Sequence, residues 1–124
     1  MEQLLAHLVG DYIFQIDWMA KNKTKKWWIA LVHALTYTLP FLFLTTSASA
    51  LLVICLSHAV IDYFRLARFL VFAKNKITDF NLQWKEANVT GYHNDTPPWL
   101  AFWLLIIADN TLHLICNYFA IRWL

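Results

Sequence analysis

Three pairs of ionisable residues recur at one interval: His7 and Asp11, His58 and Asp62, Asp109 and His113. Side chains four residues apart on a helix lie one turn apart on the same face. Each segment therefore points one carboxylate and one imidazole in a single direction. His33 and Tyr37 repeat the interval on a fourth apolar segment. Carboxylates and imidazoles together form the donor set of zinc, manganese or iron. Converging carboxylates repel one another, and a cation or protonation must relieve that repulsion. The expected metal ligands are His7, Asp11, His33, His58, Asp62, Asp109 and His113. The expected cofactor is a divalent transition metal (zinc, manganese or iron). So many ligands exceed the four that one tetrahedral zinc needs, which favours two ions over one. Di-metal carboxylate bundles use facing helical ligands in the same way, at a different spacing.

Other residues would support such a site. Arg65 and Arg68 follow Asp62 by three and six residues. They read either as a clamp for an anionic group or as anchors whose long stems reach the membrane surface. Gln15, Asp17 and Asn110 read either as partners that orient imidazoles by hydrogen bonding or as polar residues of helix ends, and Tyr37 is a further orienting candidate. For any one histidine taken alone, a hydrogen bond between helices is the commoner role. Cys55 and Cys116 lie in apolar runs and match no metal or disulfide spacing, so they read as free thiols.

The elements that must carry these residues are apolar. Hydrophobic residues make up 60% of the 124-residue chain and charged residues 15%. Soluble domains run at about 45–50% and about 25%. A soluble domain this small lacks the volume to hide so much apolar surface. The composition excludes disorder, a coiled coil and a basic nucleic-acid-binding module. A net charge of +2 implies no anionic partner. The reading is one all-α integral-membrane domain over 1–124, a four-helix transmembrane bundle with the lipid bilayer as its partner. Its helices are expected at about 3–20, 27–44, 50–73 and 99–122, with a loop over 74–98. Pro40 should kink the second helix. Residues 1–20 lack the basic start of a secretory signal and are interrupted by Asp11, which leaves an interfacial amphipathic helix or, the favoured reading, a membrane helix whose polar face the other three cover.

Lys21, Lys23, Lys25 and Lys26 crowd the first connection, and Lys74, Lys76 and Lys85 the third. The positive-inside rule puts both in the cytoplasm and both termini on the other side. With that orientation the Asp of every pair lies on the cytoplasmic side of its His. At 1.5 Å per residue, Asp11, His33, Asp62 and Asp109 lie roughly 9–15 Å deep, and His7, Tyr37, His58 and His113 roughly 15–21 Å. Two layers near mid-membrane are therefore expected. His7–Tyr12 and His58–Tyr63 share the form H-x-V-x-D-Y, which suggests a parallel repeat of two helix pairs.

The segments HLVGDYIFQIDWMA from His7, HALTYTLPF from His33, HAVIDYFRLAR from His58 and ADNTLHL from Ala108 resemble a family of short bacterial and phage membrane proteins of unknown function. That resemblance implies a bacterial inner-membrane location. The His/Asp pattern is more distantly similar to membrane-bound metal-dependent hydrolases. The functional expectation is a hydrolase of a phosphoester or lipid head group. Its alternative is a non-enzymatic ion or proton pathway, or a phage-type membrane effector, with the His/Asp layers as relay or structural network. Four short helices enclose little space, and a homodimer would enlarge it.

Overall fold

The computed structural model describes residues 1–124, and every regular element in it is helical. The chain opens with α1 (Glu2–Leu8), where acidic Glu2 sits in the first turn and suits the helix dipole. The ladder then widens into a π-helical turn, Val9–Ile13. Gly10 lies in that turn, where a Cβ would stand 2.7 Å from the carbonyl oxygen of Tyr37. Only a residue without a side chain lets the two backbones approach so closely. Ile16 is extended, with φ −80° and ψ 158°, and ends the segment. A new short helix, α2 (Asp17–Asn22), starts after it, and Asp17 pairs with Lys21 one turn on. The continuous helix expected over 3–20 is thus corrected to two helices separated by a wide turn and an extended residue.

α3 (Trp27–Thr38) comes next, and then a 3₁₀ turn, Leu39–Phe43. Pro40 cannot donate to the α ladder, so the chain tightens there rather than continuing as α-helix. α4 (Ala48–Phe64) and α5 (Leu66–Thr78) are separated by Arg65, the one non-glycine residue with positive φ, at 53°. A left-handed residue breaks the helical ladder, and so the helix expected over 50–73 is corrected to two. The expected loop over 74–98 contains the end of α5 and a single turn, α6 (Trp84–Ala87). α7 (Pro98–Trp123) begins with proline at a position where its missing N–H is harmless. Of the expected helices, α7 alone is unbroken over its range. It is also the one helix long and apolar enough to cross a membrane by itself; α4 and α5 reach that standard only if taken together across their break. The two H-x-V-x-D-Y segments adopt different backbones. The first crosses from α1 into the π turn, and the second lies wholly in α4.

The chain forms two compact units, Met1–Phe64 with His113–Leu124, and Arg65–Leu112. In the first, α3 packs along α4, and α1 packs on the 3₁₀ turn. Ala6, Tyr37, Phe41, Ala50, Ile54 and Ala120 form its apolar core. The alanines let neighbouring helices close around the two large rings. Gln3 Nε2 donates to the Leu114 carbonyl at 2.6 Å, and the Ser47 hydroxyl to that of Leu124 at 2.8 Å, which fastens the end of α7 into this unit.

In the second unit the Trp84 ring stacks on Phe69 with centroids 4.7 Å apart, and Phe72 meets it edge-on. Leu82, Val71, Ala67 and Ala87 are buried there. Gly91 has φ +84°, and a Cβ on it would stand 2.5 Å from the Arg68 carbonyl oxygen. Asn75 Nδ2 donates to the Gly91 carbonyl at 3.0 Å and holds this turn against α5.

Candidate metal centre

Three elements of the first unit bring four groups to a common point. The π turn supplies Asp11, α3 supplies His33, and α4 supplies His58 and Asp62 one turn apart. Lys23, just past α2, reaches the same point from the side. All four acidic and imidazole side chains are buried, and one ligand atom from each lies within 4.8 Å of the others.

The separations are informative. His33 Nε2 lies 3.1 Å from Asp11 Oδ1, 3.0 Å from His58 Nε2 and 3.4 Å from Asp62 Oδ2. His58 Nε2 lies 3.2 Å from Asp62 Oδ2 and 3.8 Å from Asp11 Oδ1. Ligand bonds of 2.0–2.1 Å in a tetrahedron give ligand–ligand edges of about 3.3–3.4 Å. These five edges bracket that value. The cluster could therefore hold a metal ion.

Hydrogen bonding alone does not satisfy the group. His33 Nε2 faces a carboxylate oxygen, another ring nitrogen and, at 3.3 Å, the Lys23 ammonium. One ring nitrogen carries either one proton or one lone pair, so it cannot serve all three. A cation at the centre would satisfy both Nε2 lone pairs and both carboxylates together. The outer nitrogens, His33 Nδ1 and His58 Nδ1, are buried without a hydrogen-bond partner. Packing rather than an outer carboxylate therefore orients the rings. The His58 ring lies on Tyr37, with centroids 3.6 Å apart and planes 18° from parallel, and beside His113 at 4.2 Å.

A second polar group lies next to the first. Asn117 Nδ2 donates to the Tyr37 oxygen at 2.6 Å, and that oxygen lies 2.9 Å from His7 Nδ1. The arrangement that serves all three has the Tyr37 hydroxyl donating to His7 Nδ1. His7, His113 and Asn117 are all buried. Asp62 links the groups: Oδ2 faces His33 and His58, while Oδ1 lies 3.6 Å from His113 Nε2.

The family described as a protein of unknown function, DUF3307, matches residues 1–121. The chain belongs to the DUF3307 family. No curated protein and no solved structure matches it.

Of the seven expected ligands, this DUF3307 chain brings Asp11, His33, His58 and Asp62 to one point. His113 approaches through Asp62, and His7 bonds to Tyr37 instead. Asp109 is half-buried on α7, one turn before His113, and half-buried Asn110 follows it. Tyr37 touches His7 and His58. Gln15 lies in the break before α2 with its Oε1 buried and unpartnered, and Asp17 is exposed on Lys21. The two arginines, read as an anion clamp or as anchors, each bond to the backbone of the loop after α6. Arg65 donates to the Val89 carbonyl at 3.1 Å and Arg68 to that of Asn88 at 2.9 Å, so both fasten the loop after α6. Cys55 and Cys116 are free thiols.

Two members of this DUF3307 site escape a reading of the sequence. Asn117 continues the interval Asp109, His113 by four more residues, a signal that was present. Lys23 gives none, because one lysine among Lys21, Lys25 and Lys26 reads as solvated charge.

Proposed function

We propose that this DUF3307 protein is an integral-membrane, metal-dependent hydrolase of a phosphoester or lipid head group, built on the Asp11, His33, His58 and Asp62 cluster. The carrying observation is the set of ligand–ligand distances from 3.0 to 3.8 Å among four buried donors. A bound divalent ion supplies Lewis acidity toward a phosphoryl or acyl oxygen. The chain's own residues fix the ligands: Gly10 admits Asp11 to the α3 backbone, and Tyr37 holds the His58 ring. Four protein ligands close a tetrahedral zinc shell, whereas a six-coordinate manganese or ferrous ion keeps positions for water and substrate. Hydrolysis therefore favours manganese or iron here. A centre with two ions would share Asp62, whose oxygens face opposite groups.

The bilayer setting rests on exposed apolar surface. α7 is apolar along its length yet only 11% of its most apolar window is buried, unlike the core helix of a soluble protein. Trp99, Trp103, Ile107, Ile115, Phe119 and Trp123 are all exposed along it. At 1.5 Å per residue, 26 residues make a helix about 39 Å long, enough to cross the hydrocarbon. A bacterial inner membrane, with positive connections inside, is the proposed location.

The test is elemental analysis of the detergent-purified protein beside Asp62→Asn, followed by phosphoesterase and lipid head-group assays with manganese, iron and zinc. Near-stoichiometric metal that the folded variant lacks, with activity that tracks it, is the expected result. A metal-free parent, even after reconstitution, overturns the reading. The relay alternative draws on the Asn117, Tyr37 and His7 chain of hydrogen bonds. Proton flux in liposomes that stops in Tyr37→Phe would support it instead.

A further inference from the structure

Lys23 Nζ lies 2.7 Å from Asp62 Oδ2, 3.3 Å from His33 Nε2 and 3.6 Å from Asp11 Oδ1. It thus stands against three of the four donors that would surround an ion. The neighbouring Lys21, Lys25 and Lys26 are exposed, while the Lys23 side chain is 15% exposed. Lys23 is the first residue past α2, and its N–H closes that helix on the Met19 carbonyl. Its backbone is therefore fixed by α2, and the long flexible stem alone carries the ammonium inward.

Charge favours an exchange at this point. Two carboxylates and one ammonium leave one negative charge at a buried site. A dication in place of the ammonium leaves none. Both cannot stay, because an ammonium within hydrogen-bond reach of the same donors would lie next to the ion in a medium of low dielectric. The stem can swing the ammonium out to the exposed lysines around it without moving α2.

We propose that Lys23 is a displaceable internal cation, which neutralises the cluster when no metal is bound and is expelled to the surface when a divalent ion enters. The inference rests on the metal-binding reading of the cluster. It couples occupancy of the buried site to the charge displayed by the 21–26 segment. Any group that holds Lys23 outside, such as an anionic surface, would strengthen metal binding by the same factor, since coupling is reciprocal.

The experiment has two arms on the full chain in detergent. Manganese(II) binding is titrated by electron paramagnetic resonance of the free ion, for the parent, Lys23→Met and Lys23→Gln. Separately, the parent is acetylated with and without zinc and mapped by mass spectrometry, with Lys25 and Lys26 as internal references. The expected results are binding tightened about 5- to 150-fold in both variants, the usual span of coupled sites, and Lys23 protected without zinc but labelled with it. Manganese bound equally or more weakly by the variants, with Lys23 labelling unchanged by zinc, overturns the displacement and leaves the metal site standing. Manganese bound by neither parent nor variants overturns both, and Lys23 is then a fixed counter-ion. The acetylation arm uses the parent chain, so it decides the matter even if a variant fails to fold.

Discussion

His33 Nε2 and His58 Nε2 face each other at 3.0 Å where α3 packs on α4. Two ring nitrogens at that distance share either one proton or one cation. The carboxylate oxygens of Asp11 and Asp62 stand beside them, and the Lys23 ammonium lies 2.7 Å from Asp62 Oδ2, so the group is served by that ammonium or, as proposed, by a metal ion. The contact therefore concentrates the chemistry of this chain in one place, and variants around it separate its parts.

Removing a ligand should abolish metal retention. Asp62→Asn keeps the volume and removes the charge that faces both His58 and His113. The loss should exceed the roughly 10- to 100-fold caused by disturbing outer partners of metal ligands. Inductively coupled plasma mass spectrometry on the folded variant measures it, and retained metal would assign the ion elsewhere.

Gly10→Ala should destabilise the first unit. The new Cβ would meet the Tyr37 carbonyl oxygen at 2.7 Å and Tyr37 Cδ2 at 2.8 Å. The first is backbone and cannot step aside alone. Overpacking of this kind costs about 1–3 kcal/mol. Denaturation in detergent should show the lower stability, and metal affinity should fall with it because Asp11 is the next residue in the same turn.

Tyr37→Phe and Asn117→Leu should each destabilise the protein, yet the double variant should cost less than their sum. Each single change leaves a buried polar partner unpaired, worth about 1–3 kcal/mol, whereas the double change removes the Tyr37–Asn117 pair together. A double-mutant cycle by chemical denaturation reads the coupling. Strict additivity would show that the 2.6 Å contact carries no energy.

Gly91→Ala should loosen the second unit and spare the cluster. Its φ of +84° disfavours a side chain, and a Cβ would stand 2.5 Å from the Arg68 carbonyl oxygen. The left-handed backbone alone costs about 1–2 kcal/mol. Limited proteolysis between residues 79 and 97 should accelerate while metal content stays at the parent level. Metal loss without faster cleavage would contradict this division.

Much of the site was legible from the four-residue interval. It put His58 and Asp62 on one face of α4 and His33 and Tyr37 on one face of α3, as found. Helix depth grouped Asp11, His33 and Asp62 correctly, but placed His58 in the other layer. Depth counts positions along the backbone, whereas His58 and Asp62, one turn apart, bring their side-chain atoms to within 3.2 Å. The breaks were not legible. Apolar periodicity runs on through Arg65, and the ladder stops there at a left-handed residue whose side chain bonds to the distant Val89 carbonyl. Lys23 was illegible for the same reason. Its role depends on a tertiary approach by an irregular segment, which leaves no period in the sequence.

The π turn at Val9–Ile13 frees the number of residues there from the usual helical constraint. A π turn holds one residue more than the α turn it replaces. Deleting a single residue within it would let the ladder close as ordinary α-helix. Everything upstream would keep nearly the same azimuth, because four α residues turn the chain about as far as the five of the wide turn. His7 would still face Tyr37, and Gln3 the Leu114 carbonyl. The turn is thus a slack link that absorbs one residue without re-aiming its neighbours, so loss of an ordinary apolar residue such as Val9 should be borne here and not within the unbroken α7.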